Sequence, residues 1–383
     1  MTRPLLSVAC VLMLVACDGR SEDSALQAQT APGAPMPPAP VVVNETPAGQ
    51  RIEADVRALA DDRMAGRETG TPGFDLAAEH VAQRFADIGL QPAGDDGGWF
   101  QRVPLVRATA DPDAAALSVS RNGRTIALRT RDQFLPLPDF NAGAAELTAP
   151  AVFVGQAIHA PELGHDDFAG MDLDGRIAIV FGGAPRSFDP NPFAQYASLR
   201  TKIEAIVARG AVGLVLVNTV DDEAGSPWAR SVAQASRPAM RLRDGDDRPI
   251  DAPAQLRAGV RVAATAADLV FADGPRTAAE LFDAARAGRL APFALPGTMT
   301  LRTRSHIDHI ESRNVLGMLP GSDPARAAQS IVHTAHLDHL GNGAPVDGDA
   351  IYNGALDNAL GVAILIEAAR ELAQADAAPA RST

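Results

Sequence analysis

Two short motifs near the C-terminal end of the sequence contain the residues best suited to catalysis. Residues 336–341 read HLDHLG and residues 353–358 read NGALDN. The imidazole of His336 and the carboxylate of Asp357 are side chains that zinc prefers as ligands. Because both cysteines, Cys10 and Cys17, lie near the N-terminus, a metal in the rest of the chain must be held by histidine and carboxylate side chains. The motifs therefore predict a metal site.

The residue types within these motifs suggest separate roles. His336 can bind a metal through one ring nitrogen, while Asp338 accepts a hydrogen bond from the other nitrogen and fixes the tautomer. Asp357 has two carboxylate oxygens and can bridge two metal ions about 3.5–4 Å apart. We expect His339 to support the site without binding metal, and His333 to pack within the structure. The candidate ligands are His336 and Asp357, and the candidate catalytic residue is Asp338.

A second copy of the histidine pattern occurs at residues 306–309, which read HIDH. This copy lies in an alternating, half-exposed segment, with no apolar strand before it and no Gly-Ala-x-Asp-Asn pattern after it. We interpret it as a chance repeat without a metal role. His80, His159 and His165 are expected to be surface residues.

The elements around the two motifs predict how the candidate ligands could meet. Residues 330–335 predict a strand that ends directly at His336, and ligands of open α/β sheets bind at the C-terminal ends of strands. The second motif opens a predicted helix, because residues from Val362 to Leu372 are apolar at helical spacing. A histidine at a strand end and an aspartate at a helix start can then converge on one point.

The middle of the chain has a different character. Residues 177–181 and residues 214–218 are short apolar runs that predict buried strands, and an amphipathic helix is predicted between them, near residues 199–208. This strand–helix–strand unit predicts a small separate α/β domain within residues 117–272. The net charge of −13 argues against nucleic acid as a partner, which requires a basic face.

The N-terminal segment predicts export and lipid anchoring. Arg3 precedes a short apolar run, and residues 14–17 read LVAC, which resembles a lipobox. In such signals the cysteine, here Cys17, becomes lipidated and holds the protein at a membrane. An ordinary cleaved signal is the alternative. Residues 31–40 are rich in proline and alanine and predict a semi-rigid tether, so the protein is expected to face the periplasm or the cell exterior.

Residues 311–372, with the motifs at 336 and 354, resemble the zinc aminopeptidases and glutamate carboxypeptidases of peptidase family M28. Residues 65–70, which read AGRETG, with the following helix and the GLQP of residues 89–92, share this resemblance. Residues 117–272 are similar, more diffusely, to the protease-associated (PA) domain often inserted in these enzymes. The resemblance implies a mixed-sheet α/β zinc-exopeptidase fold, two zinc ions and a peptide substrate. It also implies that His336 binds one zinc, Asp357 bridges both, and Asp338 supports His336.

These interpretations give the expected domain organisation, in which the peptidase domain is incomplete. A lipoprotein signal peptide (1–16) and a tether (17–50) precede the first part of the peptidase domain (51–116), the PA-like domain (117–272) and the rest of the peptidase domain (273–383). The family's Glu-Glu pair, further aspartate and late histidine have no counterpart after Asp357. We therefore expect a C-terminally truncated chain that lacks the general base and the remaining ligands and has little or no activity.

Two other interpretations stay open. The chain can be a non-catalytic lipoprotein that binds peptides or a partner through the PA-like domain, or a plain periplasmic binding module, which would not need the histidine–aspartate motifs. Aminopeptidase and carboxypeptidase cannot be separated, because the specificity loops of the family lie downstream. The sequence leaves the oligomeric state undetermined.

Overall fold

The computed structural model describes residues 46–383. The helices in this range are α1 (Pro47–Leu59), α2 (Pro72–Ile88), α3 (Pro190–Ala197), α4 (Leu199–Val207), α5 (Val220–Gly225), α6 (Trp228–Gln234), α7 (Ala267–Phe271), α8 (Ala278–Arg286) and α9 (Leu360–Ala373). Between residues 46 and 383, no helix has the length and apolar character needed to cross a bilayer. The predicted signal peptide, Cys17 and most of the predicted tether lie outside the described residues.

The strands form two large sheets and three small ones. They are β1 (Gln91–Pro92), β2 (Phe100–Ala110), β3 (Ala116–Arg121), β4 (Arg124–Leu128), β5 (Phe134–Pro136), β6 (Ala144–Ala149), β7 (Ala151–Phe153), β8 (His159–Ala160), β9 (His165–Asp166), β10 (Ile177–Phe181), β11 (Gly213–Val217), β12 (Ala239–Leu242), β13 (Ala258–Val262), β14 (Phe293–Ala294), β15 (Thr298–Val315), β16 (Gly317–Met318), β17 (Asn342–Val346) and β18 (Asp349–Ile351).

The first large sheet has the strand order β14-β7-β10-β11-β13-β5. Its four central strands, β7, β10, β11 and β13, are parallel, and both edge strands are antiparallel. Strands β10 and β11 are buried at every residue, because apolar clusters cover both faces of the sheet. This confirms the predicted buried strands, since strands covered on both faces consist of continuous apolar runs.

The second large sheet is antiparallel and is organised by the long strand β15. Strand β2 pairs with the C-terminal part of β15, and β3 and β6 pair with its N-terminal part. Burial alternates along the first half of β15, as its alternating sequence predicted. The sheet joins strands from both sides of the predicted boundaries at residues 117 and 272, and those boundaries stay a prediction.

Helices α1, α2 and α9 pack together around one apolar cluster that includes Leu59, Phe85 and Ile366. Both ends of α2 carry local sequence signals: Thr71 caps its first turn, and Gly89 ends it in the left-handed conformation at φ 89°. Glycine suits that position because it has no Cβ to clash there. Helix α9 begins directly after the turn that contains Asp357, so this packing positions one side of the candidate metal site.

The prediction of a strand at residues 330–335 is wrong. Only a bridge at Ser330 pairs in this segment, and Ile331 and Val332 are exposed by 48% and 78%. An apolar run becomes a strand only where a neighbouring backbone satisfies its hydrogen bonds, and no strand among the described residues lies beside it. The predicted fold class is nevertheless confirmed at the level of a mixed α/β protein with several sheets.

Candidate metal site

The candidate ligands His336 and Asp357 face each other in the structure. The Nε2 atom of His336 lies 3.2 Å from Oδ1 of Asp357, and Nδ1 of His339 lies 4.0 Å from Oδ2 of the same carboxylate. The side chains of His336 and Asp357 are 56% and 71% exposed, so both are accessible to a ligand. This arrangement brings together two donors of the types that zinc prefers.

The second ring nitrogen of His336 points towards Asp338. Nδ1 lies 3.2 Å from the backbone carbonyl oxygen of Asp338 and 3.5 Å from its carboxylate Oδ1. The carbonyl is thus the nearer acceptor, and it can hold the proton on Nδ1 and leave Nε2 free to bind a cation. The role of the Asp338 carboxylate stays a prediction.

Arg67 connects the two motifs, and the sequence reading assigned it no role. Its guanidinium is fully buried and donates to the carbonyls of Leu337 at 2.9 Å, Asn353 at 2.7 Å and Gly354 at 2.9 Å, with a further bond to Leu59. One planar group with several donors can satisfy carbonyls from separate segments. Arg67 therefore fixes the chain beside His336 relative to the chain before Asp357.

Close backbone approach explains the glycine next to Arg67. The amide of Gly341 donates to the carbonyl of Gly66 at 3.0 Å. A Cβ at Gly66 would come within 2.6 Å of the carbonyl oxygen of Gly341, and the φ angle of Gly66 is +68°. Only glycine meets both conditions without strain. The AGRETG motif thus serves as the inner support of the candidate site, which its loop-like composition alone did not indicate.

Asp357 lies in a single irregular turn, Ala355–Ala359, directly before α9. The side chain of Asn358 donates to the carbonyl of His336 at 3.2 Å, which adds a second link between the motifs. A Cβ at Gly354 would lie 2.5 Å from the ring of His339, so glycine at this position permits the close approach. Partial burial lowers the pKa of His339, while the charge of Asp357 acts in the opposite direction.

The other histidines have different surroundings. His306 is 78% exposed on β15 and lies 3.0 Å from Asp308, and Asp308 also pairs with Arg107. This is a surface ion pair on a strand. His333 is exposed, so the expectation that it packs within the structure is wrong, because the strand that would hold it is not formed.

Two histidines expected at the surface are partly enclosed. His80 lies 3.0 Å from the buried carboxylate of Asp55, and His165 lies 3.0 Å from the buried carboxylate of Asp167. Burial by itself would raise the pKa of Asp55, but hydrogen bonds from His80 and Arg84 lower it. His159 is exposed, as expected.

A cleft of about 1560 Å³ adjoins the candidate ligand His336. Its wall includes His336, Asp338 and His339, together with Glu68 and Arg237. Glu68 follows the buried Arg67 and lies against Gly341, so it adds a carboxylate that the sequence reading did not consider. Among residues 46–383 no group of three or more His, Cys, Asp or Glu side chains has a geometry that could hold a metal ion.

The sequence of residues 314–383 matches the family described as "Peptidase family M28". This segment belongs to peptidase family M28. The prediction of a metallopeptidase family is thereby confirmed for the segment that carries both motifs. No curated protein matches the chain.

Solved structures similar to this chain include two bacterial aminopeptidases. The aminopeptidase from Aneurinibacillus sp. strain AM-1 is 18% identical, with a TM-score of 0.44, over 87% of this chain and 60% of its own. BSAP, a zinc aminopeptidase from Bacillus subtilis, is 16% identical, with a TM-score of 0.34, over 87% of this chain and 60% of its own. The chain with the M28 segment thus spans 60% of the length of each of these structures.

Proposed function

We propose that this chain carries half of a co-catalytic two-zinc site and acts, when the site is complete, as an exopeptidase on short peptides. The observation that supports this most is the approach of His336 Nε2 to Asp357 Oδ1 at 3.2 Å beside a large cleft. A neutral imidazole and a carboxylate at this separation suit one divalent cation. His336 and Asp357 would hold zinc, with Asp357 as the bridging ligand.

The residues around the proposed ligands have their own tasks. Zinc, when bound, supplies a Lewis acid for the carbonyl of the scissile peptide. The carbonyl of Asp338 orients the ring of His336, and Arg67 holds the two motif backbones in register. The cleft provides space for a peptide, and its wall combines apolar side chains with Glu68 and Arg237. Whether the peptide is cleaved from its amino or carboxyl end is a question for the substrate assay.

The proposed site is incomplete within residues 46–383. Catalytic zinc sites usually have three protein ligands, and the described residues contain no group of three suitable side chains. We therefore propose that this 383-residue chain alone binds zinc weakly and hydrolyses peptides slowly or not at all.

Zinc titration of the purified chain tests the ligand assignment. We expect zinc binding that is weakened at least about tenfold in His336→Ala and Asp357→Asn, because each removes one of two donors. His306→Ala is the matched control, since its histidine occurs in the same HxDH pattern and should leave binding unchanged. Equal zinc affinity in the three variants would refute the assignment.

Peptidase assays test the proposed activity separately. Peptides with a free amino end and a blocked carboxyl end, and the reverse, are incubated with the zinc-loaded chain. We expect little zinc-dependent release of amino acids. A substantial zinc-dependent rate that is lost in Asp357→Asn would show that the ligands present suffice and would overturn the proposed inactivity.

A second candidate function is a non-catalytic lipoprotein that binds peptides or a partner through the PA-like residues 117–272. The lack of a three-ligand group among the described residues favours it. Absence of zinc binding together with measurable peptide binding would support this candidate over the peptidase.

We also propose that the chain is exported and held at a membrane by lipid on Cys17. The support is the LVAC sequence at residues 14–17 and the proline-rich stretch that follows. Expression with labelled fatty acid should label the wild-type chain but not Cys17→Ala, and the variant should leave the membrane fraction. A labelled Cys17→Ala chain would contradict the proposal.

A further inference from the structure

A second cavity, of about 300 Å³, lies in the parallel sheet, away from the candidate metal site. Gly182, which follows β10, and Asn218, which follows β11, lie at its wall, so the cavity adjoins the C-terminal ends of two neighbouring parallel strands. Ligands of open α/β sheets bind at this edge. The volume is sufficient for a small molecule such as an amino acid.

Lys202 on α4 forms part of the cavity wall and is the only lysine in the sequence. Its side chain is 1% exposed, and Nζ donates to the carbonyls of Gln156 at 2.5 Å and Gly183 at 2.6 Å. Those bonds tie together the loops that follow β7 and β10. Burial lowers the pKa of Lys202 to about 8. Burial of a charged group is costly, and Lys202 is nevertheless buried beside a cavity.

Arg261 on β13 supplies a second cation to the same wall. It lies beside Leu216 of β11, on the face opposite the buried Val260 and Val262. Burial lowers the pKa of Arg261, and the charge of Asp222 partly offsets this effect. No hydrogen bond or ion pair of its guanidinium to another of the described residues is present, so the five guanidinium donors are available to a bound group.

Asp222 supplies a negative charge to the wall of the same cavity. Its Oδ2 accepts from the amide of Thr219 at 2.8 Å and from the hydroxyl of Thr219 at 2.9 Å. Those bonds fix the carboxylate beside Gly182, and its other oxygen, Oδ1, has no hydrogen bond to another of the described residues. Apolar side chains complete the wall, namely Ala197, Leu199 and Leu216.

We propose that this cavity binds a free α-amino acid with a small apolar side chain. The carboxylate pairs with Arg261, for which a planar guanidinium is well suited, and the ammonium pairs with Asp222. Lys202 maintains the cavity floor through its two carbonyl bonds and adds positive charge near the carboxylate. The proposal does not depend on the proposed peptidase function, because none of these residues belongs to the candidate metal site.

Isothermal titration of the purified chain with L-alanine tests the proposal, with propionate and ethylamine as the two half-ligands. We expect L-alanine to bind, propionate to bind more weakly and ethylamine not to bind. Arg261→Gln should weaken L-alanine binding at least about tenfold. Arg230→Gln is the matched control, since Arg230 lies nearby on α6, is exposed and does not contact the cavity.

Folding is checked in parallel by the urea midpoint of each variant. A Lys202→Met variant, which removes the bonds to the cavity floor, can unfold. Arg261→Gln then still tests the proposal, because Arg261 makes no side-chain bond within the described part of the chain. Unchanged L-alanine affinity in a folded Arg261→Gln variant would overturn the proposal, as would the absence of L-alanine binding. Binding of inorganic phosphate without binding of L-alanine would also overturn it.

Discussion

A single buried arginine supports the candidate metal site at the level of individual residues. Arg67 donates to carbonyls of three segments that are distant in sequence, at Leu59, Leu337 and Asn353–Gly354. Buried carbonyls that lose their donors keep their desolvation cost. The position of His336 relative to Asp357 therefore depends on a residue that does not contact either side chain.

Replacement of this arginine should destabilise the fold. We expect Arg67→Met to lower the free energy of unfolding by about 3–5 kcal/mol, because several buried carbonyls lose a charged donor. Arg67→Lys should recover only part of that loss, since an ammonium cannot span the same carbonyls. Urea denaturation measures both, with the exposed Arg63→Lys as control. A loss below about 1 kcal/mol in Arg67→Met would contradict this role.

Lys202 should make stability rise with pH in the alkaline range. Burial lowers its pKa from 10.5 to about 8 in the folded chain, so between these values the unfolded chain binds more protons and the unfolding free energy increases with pH. The gap corresponds to about 3 kcal/mol at most. Denaturation at pH 7, 8.5 and 10 should show this rise for the wild-type chain relative to Lys202→Met. Parallel curves for the two proteins would exclude a perturbed lysine.

At the level of secondary structure, an ion pair joins the first and last helices. Arg51 on α1 donates through Nε to Glu367 on α9 at 2.9 Å, with a second contact through Nη2. Glu367 is 7% exposed, so its carboxylate serves the packing of the two helices. The bidentate pair holds α1 against the helix that begins just after Asp357.

Loss of this pair should loosen the contact between α1 and α9. Glu367→Ala should cost about 1–3 kcal/mol at neutral pH, less than a fully buried pair because Arg51 is partly exposed. The hydrogen bond from Arg51 lowers the pKa of Glu367. Its contribution is therefore present above the unfolded pKa of about 4.3 and is lost as the pH falls through the lower folded pKa.

Urea denaturation at pH 7 and pH 3 measures this difference. The two proteins should differ at pH 7 and approach each other at pH 3. Glu53→Ala, which removes a carboxylate of α1 that pairs with the exposed Arg57, is the control and should have little effect. A difference that is equal at both pH values would show that the carboxylate charge is not involved.

At the scale of the whole molecule, apolar side chains are exposed around the large cleft. Val332 is 78% exposed and Ile364 is 50% exposed, and both lie at the cleft wall. Contiguous exposed apolar surface promotes association, and the unpaired backbone of residues 332–335 adds free hydrogen-bonding groups.

Polar replacements on this surface should therefore reduce association without changing the fold. We expect the double variant Val332→Thr and Ile364→Thr to remain monomeric at higher concentration, with a change in unfolding free energy within about 0.5 kcal/mol. Light scattering measures association, and Val220→Thr, an exposed valine elsewhere, is the control. Equal association of the double variant and the wild-type chain would show that this surface is not responsible.

The sequence alone determined those features that depend on neighbours along the chain. Thr71, Pro72 and Gly89 mark both ends of α2, because capping needs only residues within one turn. The apolar runs of β10 and β11 were predicted from their composition, and the M28 segment from the two motifs. Such local signals do not need the rest of the fold.

Only the tertiary structure decided how distant segments meet. The strand at residues 330–335 failed to form because pairing needs a second backbone, which no local pattern can guarantee. The role of Arg67 was invisible because its four carbonyl partners lie 8 to 287 residues away. The same holds for the cavity between Lys202 and Arg261. The residues that line it come from separate elements, and only folding brings those elements together.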